Sequence, residues 1–109
     1  MHNYKIVIEY DGTNFVGWQQ QENGQSIQST LQEALFKLTG ENISIFGAGR
    51  TDAGVHAYGQ VASFTFNKKI ETDVIRDGLN QHLRPQPIAV QKAELVEDDF
   101  HARFSANKR

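Results

Sequence analysis

Residues 26–40 read SIQSTLQEALFKLTG, and this stretch carries the clearest helical pattern of the chain. Its apolar residues recur at the spacing of one helical face: Ile27, Leu31, Ala34, Leu35 and Leu38. Ser26 is of the residue type that caps helix N-termini, and Gly40 stands where a left-handed C-terminal cap is needed. The sequence therefore predicts a helix over residues 27–39.

Outside this helix, apolar and polar residues alternate with the period of two that is typical of strands. The first such run covers residues 4–10 and is broken by Asp11-Gly12. A short apolar run, ISIF at residues 43–46, predicts a second strand that stops at a glycine-rich loop. A third run, residues 61–66, is rich in β-branched and aromatic side chains. One strand is thus expected before the helix and two after it.

The last third of the chain predicts a second helix and a final strand. Thr72 is a candidate N-cap, and apolar residues follow it at spacings that fit a helix loosely. Pro85 and Pro87 end this helix. In the strand over about residues 88–96, the apolar residues change face part-way along, which predicts either a bulge or a strand covered on both faces.

The predicted order is strand, helix, strand, strand, helix, strand, which is that of ferredoxin-like domains. The fold class is therefore α+β: a βαββαβ chain with an antiparallel sheet and both helices packed on one face. A length of 109 residues fits one domain. Because this fold hosts many unrelated functions, the function has to be argued from the site residues.

Composition and charge exclude several functional classes. The chain has no cysteine, which removes disulfides, thiolate zinc sites, iron–sulfur clusters and a cysteine nucleophile. The four histidines lack the spacing of a metal site, so no metal is expected: His2, His56, His82 and His101. No apolar stretch has the length of a signal peptide or a membrane span, and a cytoplasmic protein is expected. The formal charge of −2 does not by itself indicate a nucleic-acid partner.

The glycine-rich segment GAGRTDAG at residues 47–54 is the first candidate site. It contains G-x-G but leads into a strand rather than a helix, which excludes a phosphate-binding loop. In an extended backbone, Arg50 and Asp52 project to the same side, and the guanidinium keeps the carboxylate ionised. From these residues alone, a surface ion pair is the more common explanation.

Three aromatic residues outside the predicted strands and helices allow two interpretations. Phe15 and Trp18 lie in a long connection, residues 11–25, and Tyr58 follows the glycine-rich segment. They are interpreted as lids or plugs of the core rather than as stacking platforms for nucleic-acid bases. An RNA-binding module of the RRM type has the same strand order and is the alternative, although residues 58–64 match its signature poorly.

Three ordered segments resemble the tRNA pseudouridine synthase A (TruA) family. GRTDAGVHA at residues 49–57 is similar to the family signature, and YDGTNFVGWQQQ at residues 10–21 is similar to its opening motif. FHARFSA at residues 100–106 is similar to the segment that closes the family's first half. The resemblance implies that residues 1–109 are the N-terminal, catalytic-aspartate domain of such an enzyme, truncated before a second domain.

The resemblance also implies an activity and residue roles. Family members isomerise uridine to pseudouridine in the anticodon stem-loop of tRNA, as cytoplasmic homodimers without a metal or organic cofactor. Asp52 matches the catalytic aspartate, and Arg50 matches an arginine that displaces the target uridine from the helical stack. Thr51, His56 and Arg103 are implied RNA-binding residues. The fragment alone is expected to be inactive, and the alternatives are a non-catalytic RRM-like RNA-binding module and a dimerising interaction domain.

Overall fold

The computed structural model describes residues 1–19, 24–49 and 52–102 of the chain. These residues form six elements: β1 His2–Tyr10, α1 Ile27–Thr39, β2 Phe46–Gly47, β3 Ala57–Phe66, α2 Thr72–Leu83 and β4 Ile88–Val96. Neighbouring strands pair antiparallel, and the sheet order is β2-β3-β1-β4. The element order and this sheet confirm the predicted ferredoxin-like α+β fold.

Both helices share one core with one face of the sheet. Alternate residues of β1 point into this core and are buried: Tyr4, Ile6, Ile8 and Tyr10. Leu31 of α1 and Leu79 of α2 are fully buried in the same cluster. Phe64 and Phe66 of β3 are also buried there, as the alternation predicts. The helices therefore cover a single face of the sheet.

The bounds of α1 agree with its predicted caps. The Ser26 hydroxyl accepts a hydrogen bond from the Ser29 N–H at 3.0 Å, and the Ser29 hydroxyl accepts one from the Ser26 N–H at 3.2 Å. Gly40 closes the helix with a φ of 78°, a left-handed conformation that favours glycine. Local side-chain chemistry thus sets both ends of this helix.

The predicted second strand, residues 43–46, is wrong in its position. Only Phe46–Gly47 pair with β3, and Ile43 and Ile45 before them are buried without a strand partner. The Ile45 N–H donates to Oε1 of Gln32 at 3.1 Å, and its carbonyl accepts from Nε2 of Gln28 at 3.0 Å. Helix side chains therefore satisfy the backbone groups that a strand neighbour would otherwise satisfy.

The predicted N-cap of the second helix is also wrong. Thr72 is the first helical residue, and Glu71 occupies the capping position without a side-chain hydrogen bond. The Glu71 carbonyl accepts the first helical bond, from the Ile75 N–H at 3.1 Å. The C-terminal end lies at Leu83, next to the proline pair, as predicted.

Neither described helix combines the length and apolar character needed to cross a membrane.

A bulge in β4 explains why its apolar residues change face. Val7 of β1 pairs with Lys92, whereas Ile8 pairs with Val90, so Gln91 is an extra residue in the ladder. This bulge brings Ala93 back to the side of the core, against which it packs. The structure confirms the first of the two predicted explanations.

The face of the sheet opposite the helices is partly covered by the chain after β4. Nδ2 of Asn3 donates to the carbonyls of Glu97 and Phe100, at 2.8 and 2.6 Å. The Ala102 N–H donates to the Ser63 hydroxyl at 2.9 Å, and Ala102 is fully buried. Asn3 and Ser63 are buried polar residues on this face, so residues 97–102 both bind and shield it.

Candidate functional site

The loop that carries Asp52 joins β2 to β3 and is held to the sheet where it begins. The Ala48 N–H donates to the Val61 carbonyl at 2.8 Å, and Nε2 of Gln60 donates to the Gly49 carbonyl. Further along, the Val55 N–H donates to the Asp52 carbonyl at 3.2 Å and closes a turn. These bonds fix the described parts of the loop on either side of its centre.

The turn after Asp52 packs on the opening motif of the chain. The Gly54 N–H donates to the Phe15 carbonyl at 3.3 Å. Gly12 is buried against the backbone of Val55, and a Cβ at Gly12 would lie only 1.9 Å from the Val55 carbonyl oxygen. The signature and the opening motif are two of the three segments that carry the family resemblance. They therefore meet in space, with glycine at the point of closest approach.

We expect Gly12→Ala to destabilise the protein by about 1–3 kcal/mol, because the added methyl group overlaps backbone atoms that have no rotamer to change. Urea denaturation measures this loss as a lower unfolding midpoint. Gly59→Ala is the matched control, since a Cβ at Gly59 meets no atom within 4 Å. Equal midpoints for the two variants would contradict the close contact between Gly12 and Val55.

His56 connects this turn to the same motif through its side chain. The Gly12 N–H donates to Nδ1 of His56 at 2.9 Å, and Oδ1 of Asp11 lies 3.1 Å from the same nitrogen. Asp11 also accepts hydrogen bonds from the N–H and the hydroxyl of Thr13. The hydrogen bonds from Thr13 lower the pKa of Asp11, and protonation of His56 lowers it further. Asp11 is therefore an ionised carboxylate at neutral pH.

The predicted site residues fall into two groups. Asp52 is exposed, and His56 lies next to β3 with about half of its side chain accessible. Arg50, Thr51 and Arg103 lie outside the described residues, so the predicted contact between Arg50 and Asp52 stays a prediction. Within the described chain, His56 is the predicted residue that joins the signature to the opening motif.

A cleft of about 380 Å³ opens beside His56. It lies at one end of β1, β3 and β4 and is lined by Glu9, Tyr10, Asp11, His56, Ala57, Tyr58, Pro87 and Ala89. Asp52 does not belong to this lining. The cleft is acidic at Glu9 and Asp11 and aromatic at Tyr58, which is a surface suited to base edges and rings rather than to phosphates.

The interpretation of the three aromatic residues is confirmed for two of them and wrong for the third. Phe15 and Trp18 are buried in the core, whereas the side chain of Tyr58 is 83% exposed. Nε2 of Gln91, the bulge residue of β4, donates to the Tyr58 carbonyl at 2.8 Å and holds the backbone there. Trp18 packs on Gly47, where a Cβ would lie 2.6 Å from the indole. The burial of these side chains depends on where they lie in the fold rather than on residue type. Phe15 and Trp18 lie in the connection after β1, and Tyr58 lies at the start of β3.

Sequence reasoning missed Asp11 and Tyr58 as site residues. Asp11 was interpreted as part of a strand-breaking pair, and its contact with His56 spans 45 positions of the chain. Only the predicted strand pairing could have indicated it, because antiparallel pairing of β1 with β3 brings Tyr10 opposite Ala57. No group of three or more His, Asp or Glu side chains within the described ranges is arranged to hold a metal ion.

Comparison with known proteins decides which family this architecture represents. The model of the tRNA pseudouridine synthase family matches residues 6–105. The chain belongs to the tRNA pseudouridine synthase family. The matched range includes the described parts of the opening motif, Asp52 with its following turn, and the segment that covers the open face of the sheet.

Relatives in this family align with the whole chain. Proteins named tRNA pseudouridine synthase A from Afipia carboxidovorans and Parvibaculum lavamentivorans are 56% and 55% identical to it over 109 residues. One from Rhodopseudomonas palustris strain BisA53 is 59% identical over the same length. The chain spans 44% of the length of each of these synthases and corresponds to their N-terminal part.

Proposed function

We propose that this chain supplies the catalytic aspartate of a tRNA pseudouridine synthase, and that the aspartate is Asp52. The observation that carries the proposal is the placement of an exposed carboxylate in a loop whose following turn is bound to the opening motif. Membership of the family and the names of its relatives support the reaction. The substrate is then a uridine in the anticodon stem-loop of tRNA.

The proposed reaction is an isomerisation, so no atoms are gained or lost. The bond between N1 of uracil and C1′ of ribose breaks, the base turns in its site, and C5 bonds to C1′. The proton on C5 leaves, and N1 gains one. The Asp52 carboxylate serves this sequence as a nucleophile at C1′, as a stabiliser of positive charge there, or as a base for a sugar proton.

The other predicted site residues complete this proposal. Arg50 keeps Asp52 ionised and fills the space that the extruded uridine leaves, while Thr51, His56 and Arg103 contact the RNA. Extrusion of a base costs a few kcal/mol, which these contacts offset. The resemblance to this family implies no metal or organic cofactor.

The proposal also covers the organisation of the enzyme. Residues 1–109 form the N-terminal, catalytic-aspartate domain, a second domain of the longer enzyme completes the active site, and the enzyme is a cytoplasmic homodimer. The 44% of the synthase length that the chain spans supports a second domain, while the homodimer and the cytoplasmic location rest on the resemblance to the family. Light scattering on a full-length enzyme that contains this chain as its N-terminal part measures the oligomeric state. A monomer at all concentrations would contradict the dimer.

The direct test is a chimera in which this chain replaces the matching part of the Afipia carboxidovorans synthase. We expect it to form pseudouridine in a tRNA anticodon stem-loop, measured by nucleoside analysis after digestion. The 109-residue chain alone is expected to form little or none. A chimera that folds and binds the RNA but forms no pseudouridine would refute the assignment of this chain to the reaction.

A non-catalytic RNA-binding module is the second candidate, and the exposure of Tyr58 favours it. Tyr58 lies in β3, a central strand, where an RRM-type module places its stacking aromatics. Its ring is 83% exposed beside the cleft, whereas Phe64 and Phe66 of the same strand are buried. A pure binding module would be indifferent to the charge of Asp52, which distinguishes the two candidates.

We expect Tyr58→Ala to weaken binding of single-stranded anticodon-loop RNA by about 5- to 150-fold, the effect of losing one stacked base. Filter binding at low salt measures it. Tyr58→Phe keeps the ring and is expected to bind like the unmodified protein. If both variants bind equally well, Tyr58 does not stack on RNA.

A further inference from the structure

Nδ1 of His56 faces two partners that require opposite protonation states. It lies 2.9 Å from the backbone nitrogen of Gly12 and 3.1 Å from Oδ1 of Asp11. The Gly12 N–H needs a lone pair on Nδ1, whereas the Asp11 carboxylate needs a proton there. One nitrogen cannot offer both at once. The contact is therefore a choice between two hydrogen bonds.

The position of Gly12 makes this choice important for the loop. Gly12 is buried, and its Cα packs directly on the backbone of Val55, the residue before His56. The imidazole thus fixes the distance between the opening motif and the turn that begins at Asp52. With the proton on Nε2, the imidazole holds Gly12 and Val55 together through the bond from the Gly12 N–H.

A carboxylate next to Nδ1 gives a protonated His56 a second hydrogen-bond partner. Among the residues that the structure describes, the charged side chains that line the cleft with it are Glu9 and Asp11, and both are acidic. The other titratable groups of the lining are the phenols of Tyr10 and Tyr58. Thr13 anchors Asp11 through two hydrogen bonds, so the carboxylate stays next to Nδ1. A protonated Nδ1 therefore donates a hydrogen bond to a carboxylate that Thr13 holds in place.

We propose that His56 is a positioning residue: its neutral Nδ1 holds the Gly12 N–H and so places the loop of Asp52, and protonation transfers Nδ1 from Gly12 to Asp11. The consequence for catalysis depends on the proposed role of Asp52. The hydrogen-bond exchange itself does not, because it involves only the contacts between His56, Gly12 and Asp11. Besides its proposed contact with RNA, His56 then acts on the reaction through the loop.

The tautomer of His56 tests the proposal in the 109-residue chain. Nitrogen-15 NMR at pH above the midpoint of the imidazole is expected to find the proton on Nε2 and a lone pair on Nδ1. As the pH falls, the Gly12 amide resonance is expected to shift with the same midpoint as the His56 ring. Its protection against hydrogen exchange, taken relative to the intrinsic exchange rate at each pH, is expected to fall by about tenfold or more. Two results would overturn the proposal: a proton on Nδ1 of the neutral ring, or a Gly12 amide resonance that does not change at the His56 midpoint.

Two substitutions separate positioning from general stability. Asn at this position carries an oxygen on Cγ, as His carries Nδ1, so His56→Asn keeps an acceptor for Gly12 without titrating. High protection of the Gly12 amide, relative to its intrinsic exchange rate, is expected in His56→Asn at all pH values, and low protection at all pH values in His56→Ala. The indole N–H of Trp18 reports that the fold is retained, and His82→Asn, in the last turn of α2, is expected to leave the Gly12 titration unchanged.

These readouts are independent of the enzyme reaction. If the chimera proves inactive while the Gly12 amide follows the His56 midpoint, the proposed function fails and the positioning role stands. If Gly12 remains protected in His56→Ala, the positioning role fails whatever the activity of the enzyme. In an active chimera, the acid limb of the pH–rate profile is expected to move in His56→Asn.

Discussion

Asp52→Asn is expected to abolish pseudouridine formation by the chimeric enzyme, with a loss of about a thousand-fold or more in rate. The substitution keeps the size of the side chain and removes its charge, so the nucleophile, charge stabiliser or base is lost in each proposed role. Since the side chain is exposed, the unfolding midpoint is expected to stay the same. Single-turnover formation of pseudouridine with saturating RNA measures the chemical step.

Asp77→Asn is the matched control for this prediction. Asp77 is an exposed aspartate on α2 whose carboxylate pairs with its neighbour Arg76 at 2.9 Å. This variant is expected to react at the rate of the unmodified enzyme. If the Asp52 and Asp77 variants react equally fast, Asp52 is not the catalytic carboxylate, and the RNA-binding module becomes the better explanation of the site.

Trp18→Ala is expected to have the largest effect on stability, a loss of about 3–5 kcal/mol. The indole is 97% removed from solvent and fills the space above Gly47, where even a Cβ would lie 2.6 Å from it. A domain of this size has a total unfolding free energy of about 5–15 kcal/mol, so this loss is a large fraction of the stability. Equilibrium urea denaturation followed by circular dichroism measures the change.

Tyr58→Ala provides the comparison for a truncated aromatic ring. Because the ring of Tyr58 is 83% exposed, its removal is expected to change the unfolding free energy by no more than about 0.5 kcal/mol. Similar losses for the two variants would contradict the different burial of the two rings. A loss below about 1 kcal/mol for Trp18→Ala would mean that the connection after β1 does not close the core.

Local signals predicted the elements whose ends depend on nearby residues. The Ser26 and Gly40 caps gave α1 its bounds, and the change of face in β4 indicated the bulge that is found at Gln91. Prediction failed where distant residues satisfy the backbone. Ile45 bonds side chains of α1 rather than a strand. The N-cap of α2 is a different, local error: it lies one residue earlier than predicted, at Glu71 rather than Thr72.

The candidate site likewise has features that the sequence predicted and features that only the structure shows. The sequence singled out Asp52 and His56 through a resemblance, but nothing in their spacing indicated that Nδ1 of His56 would meet Gly12 and Asp11. The sequence interpreted Trp18 and Tyr58 alike as lids or plugs of the core, which the structure confirms for Trp18 and contradicts for Tyr58. Which ring is buried depends on where the chain turns back over the sheet.

The sequence by itself determined the order of elements, the ends of α1, the absence of cysteine chemistry and the family. Periodicity, capping and composition are properties of neighbouring residues, which explains why they can be read along the chain. The tertiary structure alone decided that the turn after Asp52 rests on Gly12 and that one imidazole nitrogen faces both an amide and a carboxylate. These contacts join residues about 44 positions apart, and only the pairing of β1 with β3 brings them within hydrogen-bond distance.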